Sequence, residues 1–328
     1  MSNFLGTEYY NHESLILRKP TKSTNQLGFN EGYDYAKEVP VKKRRLLFLG
    51  DSYTFGQGSS TLDTSYCKVV EKHLNIHSRQ QFQVFNAGVP GYSPYDTYKL
   101  FKHLKKEGYQ YDGVVFSLFI QNDFTDHLKN TERKSVGGVI HRFPENLILR
   151  FFHPLNSYLF RYAIIAGTLF KERINVTHGK ADQTQASTEP VNEYVIGPLV
   201  FQRFQRNYGK AAKPDFETVY TSLLKMARES HVPFYIVIFP DQFYGNRTIR
   251  QRLLQTFNVD NYRVNRYYQW INKNLQKIST LDLTNVIESC QDCYVSNDEH
   301  LNDKGQILAG KAVGEYLLKQ DWISQVAH

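Results

Sequence analysis

Cysteine, methionine and tryptophan are scarce in this chain of 328 residues, numbering 3, 2 and 2. Three cysteines cannot build a disulfide framework, so an apolar core has to hold the fold, and the chain is long enough to bury one. Cys290-Gln291-Asp292-Cys293 is a C-x-x-C, but no second pair completes a zinc site. Nor does it stand at an early strand-to-helix junction, where a thioredoxin-like redox pair belongs. Free thiols or a small local disulfide are expected there, with a metal a distant second. Cys67 falls within helical spacing and is expected to be a packed small residue. No basic stretch followed by an apolar run opens the chain, so no signal peptide is read. The most apolar window, 151–170, is broken by His153, Pro154 and Arg161, which argues against a membrane span. The expectation is a chain soluble as given, or a soluble piece of a longer tethered envelope protein. Internal repeats are absent.

Hydrophobic residues make up 41% of the chain and charged ones 22%, the balance of a globular protein. Tyrosine and phenylalanine are abundant, at 23 and 22, which suits a core and an aromatic groove alike. The formal net charge of +8 favours acidic partners in general. Part of it is the run Lys42-Lys43-Arg44-Arg45, read as the solvated lead-in to a strand rather than a polyanion contact. No nucleic-acid motif accompanies it, so nucleic acid is not an expected partner.

Residues 1–40 are polar, with turn signals at Lys19-Pro20, Gly28 and Gly32, and read as an arm on a domain spanning 41–328. Leu46 to Leu49 is a short apolar run, the pattern of a strand buried on both faces. It stops at Gly50-Asp51-Ser52, and helical spacing follows over 62–74. A second strand over 82–85 runs into the Gly/Pro-rich turn 86–93, then a helix over 95–104 with Gly108 as C-cap. The third strand, 113–120, is almost wholly apolar and ends at Gln121-Asn122-Asp123. Three strand–loop–helix units in a row require right-handed crossovers and a parallel sheet. Their polar loops must then share one edge, where such sheets bind ligands.

From about 125 to 213 the alternation fails. Gly137-Gly138 and 177–192 read as loop, and 147–170 as amphipathic helix. This mid-chain insertion is expected to be a lid or substrate collar, with a purely structural elaboration as the equal alternative. Alternation resumes with a helix over 215–230, a strand over 233–239 ending at Pro240-Asp241, and a helix over 262–276. A short strand over 281–283, a polar loop over 296–302 and a helix over 304–319 complete the chain.

These loops offer the parts of an acyl-transfer site. Ser52 is unreactive at its own pKa and needs a base within hydrogen-bond reach. His300 can take the Ser proton and return it to the leaving alcohol. An acid beside it would hold the tautomer and stabilise the imidazolium. The backbone N–H groups of Ser52 and Gly91 and the amide of Asn122 are candidate donors to an oxyanion.

Gly50-Asp51-Ser52, Gly91 in its turn, Asn122-Asp123 and His300 fall in the order of the four blocks of the SGNH (GDSL-like) hydrolases, which this chain resembles over about 41–124 and 214–320. Asn25-Gln26-Leu27-Gly28-Phe29 is similar to a preamble in one bacterial branch. The resemblance implies a three-layer α/β/α fold with a parallel, flavodoxin-like sheet. It also implies Ser52 as nucleophile, His300 as base, Ser52, Gly91 and Asn122 as oxyanion hole, and no metal or organic cofactor. Asp298-Glu299-His300-Leu301-Asn302, followed by Gly305, resembles the Asp-x-His-x-Asn ending of carbohydrate-modifying members.

The chain departs from the family at two points. Ile120 stands where Gly usually opens the third block, and Asn297 where many members carry the acid, three residues before the His. In an extended segment residues two apart point the same way, so Asp298 is the expected acid, with Glu299 facing away. The alternative is that Asp298 caps a turn and a backbone carbonyl orients the imidazole. The expected reaction is hydrolysis of an acyl ester through an acyl-Ser52 intermediate, preferably a short O-acyl group on a carbohydrate. A lipid esterase or thioesterase and a sugar O-acyltransferase are the enzymatic alternatives. An inactive carbohydrate-binding domain is the non-enzymatic one.

Overall fold

The computed structural model of the chain describes residues 9–12, 15–18, 24–120, 122–126, 131–136, 139–144, 204–209, 212–256, 261–290, 292–296 and 298–324. Its strands are β1 Tyr9–His12, β2 Leu15–Arg18, β3 Lys43–Gly50, β4 Gln81–Gly88, β5 Gly113–Phe119, β6 Thr131–Val136, β7 Val139–Pro144, β8 Phe234–Phe239 and β9 Ser279–Asp282. The described residues fall into two units. One contains two antiparallel hairpins, β1 with β2 and β6 with β7. Neither hairpin is foreseen by the sequence pattern, which reads 1–40 as an arm and 125–213 as an insertion without strands. The described residues of 29–127 and 204–324 belong to the second unit, which carries the sheet.

β3 is buried from Arg45 to Gly50, as a strand covered on both faces must be. Its neighbours are β4 on one side and β5 on the other, both parallel, and the full order is β4-β3-β5-β8-β9. Counting these strands along the chain gives 2-1-3-4-5, the flavodoxin-like arrangement. α2 (Tyr66–His77) and α9 (Asp303–Leu318) pack together, and α3 (Pro94–Lys106) packs with α4 (Phe216–Ser230). Leu46 and Phe48 join the core that holds Val70, Leu74, Val313 and Leu317 of α2 and α9. The side-chain alternation of a strand sends Leu47 and Leu49 to the opposite face. Each such buried side chain contributes about 1.5–3 kcal/mol. The result is a three-layer α/β/α fold.

Local chemistry sets the ends of these elements. Ser93 and Asp96 form a capping box at the start of α3, with Pro94 in the first turn. Gly108, just past its end, has φ of +86°, the conformation of a helix C-cap. Helical spacing from residue 62 begins only as a 3-10 turn, Leu62–Thr64, because Ser65 is extended, and α2 starts at Tyr66. Gly310 lets α9 lie close on α2: a Cβ there would fall 2.6 Å from the Cβ of Val69.

The outer edge of β4 is covered by side chains, as a free strand edge requires. Glu71 accepts from Val84 N at 2.7 Å and Asn75 from Phe82 N at 2.7 Å. Tyr35 donates to Val84 O and accepts from Asn86 N, each at 3.0 Å, with its ring stacked on Phe85. The basic run that opens β3 is not uniformly solvated. Lys42 and Lys43 are exposed, but Arg45 is fully buried and donates to the carbonyls of Lys37, Glu38 and Gln110. A buried guanidinium needs such acceptors.

Among the described residues no helix is long and apolar enough to cross a membrane, and the window 151–170 lies outside them. The short strand expected over 281–283 is β9, shifted toward the N-terminus and part-exposed at the sheet edge. Helices that the pattern did not foresee include α5 (Gln242–Gly245), α6 (Arg247–Thr256) and α8 (Thr284–Glu288), whereas α7 (Asn261–Asn274) was expected. The lid reading of 125–213 rests on residues that lie mostly outside the described ones, 147–170 and 177–192 wholly so.

Candidate active site

Ser52 stands at the carboxyl end of β3, as the first residue of the short helix α1 (Ser52–Phe55). Asp51 caps that helix, its carboxylate accepting from Tyr53 N at 2.9 Å. Gly91 lies in the turn after β4, where Tyr92 N donates to Val89 O at 3.1 Å. Its φ of +79° is one that favours glycine. Asn122 and Asp123 follow β5 and are buried. The three loops with candidate oxyanion donors thus leave three adjacent parallel strands at one edge, as alternation alone implied.

His300 comes to the same edge from the far end of the chain. Its Nε2 lies 2.7 Å from Ser52 Oγ, and its Nδ1 is hydrogen-bonded to Asp298 Oδ1. The same carboxylate oxygen accepts from His300 N at 2.9 Å. An aspartate accepting from the backbone two residues on is an Asx turn. Asp298 therefore reaches the imidazole through a turn, not through the extended backbone the period-two reasoning assumed. It both caps the turn and holds Nδ1. His300 is buried, while the Asp298 side chain is 35% exposed. Asn297 lies outside the described residues.

Neighbours of the expected acid have separate duties. Asp303 accepts from Ser60 N and from the hydroxyls of Ser60 and Thr64, tying the loop after α1 to α9. These bonds hold its carboxyl below the ordinary range. Asn302 accepts from Gly305 N at 3.1 Å as the cap of α9, and donates to the carbonyls of Asp292 and Tyr294. Cys290 and Cys293 are joined as a local disulfide just before this loop. Cys67 is a buried free thiol, which burial pushes upward in pKa. No cluster of three His, Cys, Asp or Glu residues able to hold a metal ion occurs among the described residues.

Two carboxyls, Asp51 and Asp123, are buried at this sheet edge. Burial pushes Asp51 up to about 7, against the Tyr53 N–H bond that favours its charged form. Asp123 is raised well above the carboxylate range by burial first and by the charge of Asp51 second. Asp123 accepts from Phe119 N at 2.8 Å. Two side chains that the sequence did not single out also touch the His300 loop. Tyr53 donates to Glu299 O at 2.5 Å, and Gln242 to Asp298 O at 2.6 Å. Position was the available signal: Tyr53 follows the Ser, and Gln242 follows the fourth strand end, Pro240-Asp241.

The fold and the site together define a parallel α/β protein with a Ser–His–Asp arrangement at the carboxyl edge of its sheet. No protein-family model matches the chain, and no curated protein sequence matches it. Solved structures similar to it include a protein assigned to the G-D-S-L lipolytic family from Desulfitobacterium hafniense DCB-2, 12% identical over 84% of this chain and 99% of that one, with a TM-score of 0.40. The lipase/acylhydrolase of Enterococcus faecalis is 13% identical over 84% and 95%, with a TM-score of 0.44. A catalytic mutant of Axe2, an acetylxylan esterase from Geobacillus stearothermophilus, is 12% identical over 85% and 96%, with a TM-score of 0.41. At these distances the fold stands on its own strand order.

Proposed function

We propose that the chain is a serine ester hydrolase of the SGNH type, working through an acyl-Ser52 intermediate. One observation carries this reading: His300 Nε2 sits 2.7 Å from Ser52 Oγ while Nδ1 is held by Asp298. A neutral imidazole whose Nδ1–H is given to a carboxylate presents a bare Nε2 to the hydroxyl, as proton abstraction requires. Ser52 Oγ then attacks the ester carbonyl, and its proton passes to Nε2. Collapse of the tetrahedral adduct breaks the bond to the alkoxy oxygen, which leaves with that proton. Water repeats the sequence and frees the acid and Ser52. Ser52 N, Gly91 N and the Asn122 amide take the developing oxyanion.

The preferred substrate is a short O-acyl group on a carbohydrate, which rests on the Asp-x-His-x-Asn ending. Within that ending Asn302 is committed to capping α9, so it acts on the loop and not on the sugar. For the insertion at about 125–213, a lid or substrate collar and a purely structural elaboration stand as equal proposals. A fluorophosphonate probe should label one serine, and Ser52→Ala should abolish both labelling and hydrolysis of p-nitrophenyl acetate. Labelling that survives in the variant would overturn the assignment of the nucleophile. A chain-length series of p-nitrophenyl esters beside acetylated polysaccharides reads the substrate class.

A further inference from the structure

The loop bearing the acid and the base is a closed strap. Tyr294 and Leu301 form an antiparallel bridge, Val295 N donates to His300 O at 2.9 Å, and Asn302 N donates to Cys293 O at 3.0 Å. These bonds close the base of the strap. Towards its tip, Asp298 and Glu299 present peptide carbonyls, and each is taken by a side chain from elsewhere on the sheet edge. Gln242, in the first turn of α5 after β8, donates to the Asp298 carbonyl at 2.6 Å. Tyr53, in α1 after β3, donates to the Glu299 carbonyl at 2.5 Å. Both donors are buried, Gln242 at 8% and Tyr53 at 1% exposure.

These two bonds bracket the peptide units between the acid and the base. Rotation of either peptide plane would swing the Asp298 carboxylate off Nδ1 or the imidazole off Ser52 Oγ. Tyr53 is itself fixed, its ring 4.1 Å from that of Phe119 and 5.1 Å from that of Phe239, centroid to centroid. Its ring also lies 5.6 Å from the imidazole of His300. The hydrogen bonds of Tyr53 Oη and Gln242 Nε2 go to backbone carbonyls of the strap, so their effect on the reacting atoms passes through it.

We propose that Tyr53 and Gln242 are positioning residues that index the Asp298–His300 pair to the sheet, and so to Ser52. The proposal rests on the esterase reading above. They supply rate at Ser52 rather than affinity for the ester, because small displacements of a reacting group cost rate steeply.

The test uses the full chain carrying Tyr53→Phe, which keeps the ring, or Gln242→Ala. Each should lower kcat for p-nitrophenyl acetate by about tenfold at unchanged KM, and slow fluorophosphonate labelling in parallel. Labelling stoichiometry should stay that of the unmodified chain, because every folded site remains competent. In an Asp298→Asn background the same changes should cost at most about threefold, since the group they position is already disabled. Unchanged kcat in both variants would overturn the proposal. So would an undiminished loss in the Asp298→Asn background, or a fall in stoichiometry that tracks a lowered Tm. An unreactive Ser52 in the unmodified chain would sink the esterase reading and this proposal together. A reactive one with indifferent variants sinks this proposal alone.

Discussion

Asp298→Asn tests the triad most sharply, because the structure separates its charge from its shape. One oxygen, Oδ1, accepts from both His300 N and Nδ1, so an asparagine carbonyl could replace it without moving the strap. On the proposed mechanism, what disappears is the negative charge that stabilises the imidazolium as Ser52 gives up its proton. Unit charges about 4 Å apart at an effective dielectric constant near 20 interact by about 4 kcal/mol. The Asp298 side chain is 35% exposed, so solvent screening discounts this to roughly 2.7 kcal/mol. That is a loss on the order of a hundredfold in kcat/KM. If the amide instead turned its NH2 toward Nδ1, the proton would move to Nε2, the wrong tautomer, and the loss would approach roughly 10⁴-fold. The assay is steady-state hydrolysis of p-nitrophenyl acetate by a variant whose Tm matches that of the unmodified chain. Activity within about threefold of normal, well short of the two losses above, would refute the triad and leave Ser52 and His300 as a dyad.

Asn122→Ala should reduce kcat by about 10²–10³-fold with KM little changed, as loss of one oxyanion donor does, and steady-state kinetics read this directly. Asp51→Asn should change how stability depends on pH. Folding raises this carboxyl from 3.8 to about 7, so the folded chain keeps a proton that the unfolded chain has released. The contribution to stability is full below about pH 4 and is lost as the pH rises to 7. Asparagine still caps α1 without that penalty, so denaturant titration should show its advantage growing by about 2–4 kcal/mol between pH 4 and pH 8. Deletion of about residues 131–191 should change substrate preference more than the labelling rate of Ser52; equal losses on small and large esters in a folded variant would refute the lid reading.

The central layer of the fold was legible because buried parallel strands leave a plain mark. Leu46 to Leu49 and the strand 113–120 are apolar runs too short for helices, each closed by polar turn residues, and they are the interior of β3 and β5. Marks were weaker where burial is partial. β9 is a part-exposed edge strand, and its bounds slipped by about two residues. Arg45 reads in sequence as the last of four solvated cations. Its burial is decided by backbone carbonyls of Lys37, Glu38 and Gln110, which no local pattern encodes.

The site divides along the same line. The placement of Ser52, Gly91 and Asn122 at one edge was legible because each follows a strand, and strand order alone puts those strand ends side by side. Asp298 was legible by its distance from His300, yet for an incomplete reason. Extended geometry would place any residue two before the His on the same side. The Asx turn instead demands a side-chain oxygen three bonds from Cα, which selects Asp or Asn and leaves Glu one bond too long. The backbone bond from His300 N to Asp298 Oδ1 therefore does part of the orienting, and the bond to Nδ1 follows from it. Gln242 and Tyr53 had no signal of this kind. Their partners are main-chain carbonyls 56 and 246 residues away, and a carbonyl has no residue identity for a motif to record. Side chains that act on backbone thus drop out of a motif reading even when they bracket the acid and the base.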